Sequence, residues 1–189
     1  MVEAVTGQSL GAYMADNIFA PLGMTSTGFR ITDDMRSRLS DMHARLEDGS
    51  LVPMEFEIPQ EPEFEMGGGG LYSTILDYAR FLQLFLNRGR AGDVEVIKPE
   101  TVAEMTRNNM GELRVELLKT ANPGYSHDAE FFPGVPKSWG LTFQINEEPA
   151  PTGRPAGGLM WAGLANSFYW IDLHNNVAGV YASQIVPFA

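Results

Sequence analysis

Gly158-Leu159-Met160-Trp161-Ala162-Gly163-Leu164-Ala165-Asn166-Ser167-Phe168-Tyr169-Trp170-Ile171-Asp172, followed by Asn176-Val177-Ala178-Gly179-Val180-Tyr181-Ala182-Ser183-Gln184-Ile185, decides the fold. β-Branched and aromatic residues crowd two or three short runs joined by tight turns, the pattern of closely spaced strands. Just upstream, Trp139 to Ile145 alternates as a further strand, and Glu147 to Gly158 reads as a turn region of Pro, Gly and Glu.

Before these strands the signals are helical. Leu10, Tyr13, Met14 and Ile18 share one helix face, Ser9 is placed to cap it, and Pro21 and Gly23 are placed to stop it. Thr32 to Glu47 reads as a more polar helix, and Leu51 to Gly67 as an extended surface segment. Ser73 or Thr74 caps the clearest helix, with Asp77 at a capping-box position. Its apolar face is Ile75, Tyr78, Ala79, Leu82, Phe85 and Leu86, widened by Leu76, Phe81 and Leu84, so it is buried on more than one side. Val94 to Ile97 suits a short strand, and Pro99 opens a helix through Met105. Gly111 to Pro136 is irregular. Helices first and a strand meander last predict an α+β (α/β sandwich type) fold, its antiparallel sheet made by the C-terminal strands and flanked by helices. We expect a single domain over 1–189, with 1–137 mainly helices and loops and 138–189 the antiparallel strands.

Composition narrows the partners. A chain of 189 residues, 44% hydrophobic and 20% charged, is globular. A net charge of −11 disfavours nucleic acid and anionic membrane, which need clustered Lys and Arg. No apolar run approaches the ~18 residues of a membrane span. No signal-peptide pattern is visible at Met1 to Gly7. With zero cysteines, disulfides and thiolate chemistry are excluded.

Five features could carry chemistry. Gly7-Gln8-Ser9-Leu10-Gly11 matches a nucleophile elbow, but an elbow needs flanking strands and an oxyanion donor from an earlier loop. Ser9 as a helix cap is the better reading, and its would-be partners Asp172 and His174 fall together in a turn. Gly67 to Gly70 lacks the Lys-Ser/Thr ending of a phosphate loop and reads as close packing. His43, His127 and His174 lack metal-ligand spacing, so no metal is expected, and no motif implies a cofactor. Lys119-Thr120-Ala121 imitates Lys-Thr-Gly without a strand behind it. Trp161-Ala162-Gly163 does open a strand, where an ordinary core tryptophan is the plain alternative.

The stretches Gln8-Ser9-Leu10 to Phe29, Gly68-Gly69-Gly70-Leu71-Tyr72-Ser73-Thr74 with Asp77 to Phe81, Lys98 to Val102 and Trp139 to Phe143 run in order ahead of the C-terminal strands. The ordered set resembles the serine β-lactamase-related family, which spans class C β-lactamases, DD-peptidases, carboxylesterases and acyltransferases. The resemblance implies a β-lactamase/transpeptidase-like fold and a seryl acyl-enzyme acting on a small-molecule ester or amide. It places Trp161-Ala162-Gly163 on the family's third active-site motif, with Trp161, Ala162, Gly163 and Leu164 lining the substrate and the Leu164 N–H as one oxyanion donor. Tryptophan where lactamases carry lysine tilts the expectation towards neutral carboxylic esters beside an aromatic wall.

The same resemblance exposes a departure. No serine is followed by lysine three residues on, and no tyrosine or serine has asparagine two residues on. The family's Ser-x-x-Lys and Tyr-x-Asn are thus absent, no residue is assigned as catalytic, and the chain is expected to be an incomplete C-terminal portion, inactive alone. In that fold the first and last strands share a sheet, so Val177 to Ile185 is expected to present an open edge, and Ile75 to Leu86 bare apolar surface. Pairing with the missing N-terminal segment, or self-association, follows as an expectation. The alternatives are a non-catalytic binding or complementation module and a self-contained α/β-hydrolase using Ser9.

Overall fold

The computed structural model describes residues 1–189. Its centre is an antiparallel sheet of five strands: β5 (Lys137–Trp139), β6 (Gln144–Asn146), β7 (Gly158–Gly163), β8 (Ser167–Asp172) and β9 (Val177–Tyr181), paired in that order. The α+β class with an antiparallel C-terminal sheet is therefore as the sequence indicates. Strict alternation gives this sheet two unlike faces. Ile145, Leu159, Ile171 and Ala178 lie in one cross-strand row. That row packs on helices α5 (Ile75–Leu86) and α6 (Pro99–Thr106), where Leu82, Phe85, Val102 and Phe143 complete the core. Phe85 meets Phe143 edge-on, their ring centroids 4.8 Å apart. Leu159 and Ile171 are fully enclosed, each burial worth about 1.5–3 kcal/mol.

Trp139 to Ile145 is a hairpin rather than one strand. The Gly140 N–H donates to Phe143 O at 2.8 Å, and the Leu141 N–H to Met105 O at 3.1 Å. A side chain at Gly140 would place Cβ 2.2 Å from Met105 O. The end of α6 thus presses on the turn, a contact that the alternation of side chains does not encode.

Helix α5 forms as its pattern predicts, and Thr74 is the cap, its Oγ1 accepting from the Asp77 N–H at 3.1 Å. Asp77 completes no capping box. Its buried carboxylate turns outward from the helix, accepting from the Ser26 N–H at 2.8 Å, Thr27 Oγ1 at 3.0 Å and Arg80 at 2.6 Å. Leu84 on the widened face is fully buried, whereas Ile75 and Leu76 at the start are 49% and 72% exposed.

Short helix α1 (Val2–Thr6) buries nothing. Helix α2 (Leu10–Met14) starts at Ser9, whose side chain accepts from the Ala12 N–H. It continues through one π turn (Ala15–Phe19) into α3 (Ala20–Leu22), so the helix passes Pro21. Pro21 sits in the first turn of α3, where its missing N–H is tolerated, and Gly23, at φ 66°, ends the run. Phe19, Leu22 and Met24 join Leu84 in a second, smaller core.

The helix expected over Thr32 to Glu47 is largely absent. Only α4 (Asp33–Arg36), capped by Thr32, is helical, and β1 (Met42–Arg45) follows. Met35, Leu39, Met42 and Leu46 keep helical spacing, but pairing with partners outside the stretch takes its second half into a strand. β1 lies between β2 (Leu51–Met54), antiparallel, and β10 (Ile185–Val186), parallel. Residues 1–137 therefore also hold β1, β2 and the two-residue strands β3 (Arg90–Ala91) and β4 (Val94–Glu95). The run expected from Val177 to Ile185 likewise splits, its last residues crossing to β1. β9 pairs with β8 alone, leaving one edge open. No helix is long and apolar enough to cross a membrane.

Candidate active site

Trp161 to Leu164 fall where β7 ends and the turn to β8 begins. Trp161 pairs with Tyr169 and Gly163 with Ser167, and the Asn166 N–H donates back to Gly163 O at 3.0 Å to close the turn. Asn166 holds φ 58°, a left-handed conformation that asparagine tolerates better than most residues. Its side chain ties this turn to the following segment. Nδ2 donates to Ile185 O at 3.0 Å and Pro187 O at 2.8 Å, and Oδ1 accepts from the Ala189 N–H at 3.0 Å. Leu164 is left 53% exposed, and its N–H donates to no acceptor of the chain.

An aromatic wall stands beside the turn. Trp139 meets Trp161 edge-on at 4.5 Å between ring centroids, and Phe131 meets Trp161 at 5.8 Å. Phe131 also reaches Phe168 and Phe188. A hollow of about 250 Å³ opens here, with Trp161, Ala162, Gly163 and Leu164 along one side. All four residues singled out on the sequence therefore meet at one depression.

The opposite side was not anticipated. It comes from Leu118 to Ala121, from Ser126 and His127, and from Phe188. Lys119-Thr120-Ala121, set aside as an imitation, thus faces the motif it imitates. Leu118 and Ala129 exchange N–H···O bonds at 2.9 Å, and the His127 N–H donates to Phe188 O at 2.9 Å. The second contact joins segments roughly 60 residues apart along the chain, and no local pattern in 111–136 announces either.

The other candidates lie elsewhere. Ser9 caps α2 at the surface, its oxygen accepting from its own helix. Asp172 is a turn anchor for the β8–β9 connection. Burial alone would raise its pKa, but the Asn175 side chain and the Asn175 and His174 N–H groups hold it below the ordinary carboxylate value. His43 lies in β1, His127 at the hollow and His174 in that turn, and no group of His, Asp and Glu is placed to hold a metal ion. The glycine run is a packing feature: a Cβ on Gly70 would stand 2.9 Å from Met66 O and 3.1 Å from the Phe29 ring.

Comparison with known proteins fits this geometry. Lovastatin esterase of Penicillium rubens is 29% identical over 197 residues, covering 98% of this chain and 48% of that protein. Esterase EstB of Burkholderia gladioli is 25% identical over 190 residues, covering 91% of this chain and 43% of its own length. Among solved structures, simvastatin synthase (LovD) of Aspergillus terreus superposes with a TM-score of 0.78 at 26% identity, covering 99% of this chain and 47% of that one. The chain spans about half the length of the curated relatives it matches. Beside these sequence matches and this superposition, the beta-lactamase family profile matches residues 1–189 without remainder, and the chain belongs to the beta-lactamase family.

Proposed function

We propose that this chain builds the carbonyl-binding half of a serine acyl hydrolase or acyltransferase site for carboxylic esters, and that a segment outside residues 1–189 supplies the nucleophile and its base. The observation that carries this reading is the N–H of the exposed residue Leu164, which has no acceptor in the chain, at the end of β7 beside the Trp139–Trp161 wall. The two esterases and the simvastatin synthase among the relatives agree with it.

In this reading the supplied serine hydroxyl attacks the ester carbonyl carbon. The Leu164 N–H receives the developing oxyanion, and backbone geometry alone makes it competent. The carbonyl carbon–alkoxy oxygen bond then breaks, the serine proton reaching the departing alcohol through the supplied base. Water or a second alcohol attacks the acyl-enzyme and regenerates the serine. Trp161, backed by Phe131, holds the apolar part of the acyl or alcohol group.

The test is complementation. Alone, the chain should neither turn over a p-nitrophenyl ester nor take up a fluorophosphonate label. Mixed with a segment carrying Ser-x-x-Lys and Tyr-x-Asn, it should restore turnover, with the label on the added segment. Leu164→Pro, which deletes one N–H, should then lower kcat about 10²–10³-fold. Stoichiometric label on Ser9 or another serine of this chain would overturn the proposal. A mixture that binds esters but never turns them over would favour the second reading, a non-catalytic binding module, which the absence of Ser-x-x-Lys supports.

A further inference from the structure

The hollow beside Leu164 contains no acid. The chain carries 24 Asp and Glu against 13 Lys and Arg, yet none of the residues lining the hollow is acidic, and two of them, Lys119 and His127, are basic. The nearby carboxylates are engaged. Asp128 Oδ1 accepts from the Thr120 N–H at 2.8 Å, and Glu130 faces the buried Lys137 ammonium at 3.5 Å. Lys119 takes part in none of the ion pairs of the chain, and its ammonium donates to no side chain or carbonyl.

The frame under these two residues is hydrogen-bonded on several sides. The Leu118–Ala129 exchange spans the base of the loop. Thr120 Oγ1 and Ser126 Oγ lie 2.6 Å apart across it. The His127 N–H reaches Phe188 O, whose neighbours Pro187 and Ala189 are held by Asn166 on the opposite side of the hollow. A basic edge is thus tethered to the same turn that presents Leu164.

We infer that Lys119, with His127 beside it, is the specificity edge of this site and recognises a carboxylate on the acyl or alcohol part of the substrate. The inference rests on the reading that Leu164 receives the ester carbonyl. Trp161 removes a cation from β7, and Lys119 returns one from the facing loop. The substrate is then an ester that also carries a free carboxylate, in place of the neutral ester expected from Trp161 alone. An exposed ammonium without a partner, at the edge of an acid-free, partly apolar hollow, forms a charge-assisted contact with such a group and none with its methyl ester.

The experiment titrates the full chain with monomethyl adipate and, separately, dimethyl adipate at low salt, following the Trp161 indole resonance by NMR. The monoester should bind about tenfold more tightly, the worth of one charge-assisted contact. Lys119→Met should bring the monoester to the diester's level, and Lys119→Arg should keep the preference. The spectra themselves show that each variant is folded. Equal affinities, a preference that survives Lys119→Met, or no shift with either ester would overturn the inference. Complementation that turns over neutral esters without any carboxylate preference sinks this inference and leaves the acyl-transfer reading standing. A Lys119-dependent preference without turnover does the reverse.

Discussion

The two faces of the five-stranded sheet are closed by different means. The face of Ile145, Leu159, Ile171 and Ala178 meets two helices mainly through apolar side chains, with the Tyr78 and Tyr169 rings packed against them. The other carries Lys137, Gln144 and Asn146, all nearly inaccessible, and irregular segments cover it. There the Lys137 ammonium donates to Val135 O at 2.8 Å and Phe132 O at 3.2 Å. Asn146 Nδ2 reaches Glu148 O and Pro155 O, each at 2.8 Å. Arg154 lies between the rings of Phe132 and Trp170, at 5.1 and 5.6 Å from their centroids. A helix can cover a sheet because its own backbone is already hydrogen-bonded. A loop's backbone is not, so its free carbonyls draw buried donors from the strands beneath.

That contrast can be broken by substitution. Phe85→Ala on the helix side should have the largest effect, about 3–5 kcal/mol by urea denaturation. A loss below about 1 kcal/mol would mean that α5 is not the main support of the sheet. Asn146→Ala on the loop side should cost about 2 kcal/mol, since two loop carbonyls lose a donor. Gln144 is buried beside Asn146 in β6, but neither its Oε1 nor its Nε2 has a partner among the groups of the chain. Gln144→Met should therefore be neutral or stabilising by up to about 1 kcal/mol. Destabilisation on the scale of Asn146→Ala would show that the amide is engaged after all.

The last test is silent at neutral pH. Burial pushes the Tyr78 hydroxyl up to about 12, and burial with the adjacent Tyr78 pushes Tyr169 higher still. A phenol whose folded pKa is raised keeps its full contribution below the unfolded value, near 10, and loses it as pH climbs through the folded one. Stability should fall from about pH 10 upward, and Tyr78→Phe should flatten that fall. Absorbance at the phenolate band during an alkaline titration checks the sign. Early ionisation of all six tyrosines would contradict it.

How much of this was legible follows from the range of each contact. α5, α6, the Ser9 cap and β7 to β9 are encoded in neighbouring residues, by spacing of three, four or two, and were readable. The Gly140 turn answers to Met105 O, β1 answers to Ile185 and Val186, and Lys119 reaches the hollow through Phe188. In each case the deciding partner is distant in sequence, so alternation and propensity point the wrong way or nowhere. Trp161 to Leu164 stood out through resemblance. Periodicity alone offered only a core tryptophan.

The unpaired side of β9 has a consequence for how the protein behaves in a tube. Val177 and Tyr181 along it are 43% and 61% exposed, while the whole chain carries a net charge of −11. Like-charged molecules keep their strand edges apart only over the distance that the field reaches, about 30 Å at 0.01 M salt and about 10 Å at 0.1 M. Ionic strength therefore acts as the colloidal control. Light scattering should stay flat in dilute buffer and rise with the square of protein concentration once salt is added, and a lysine at Val177 should delay that rise.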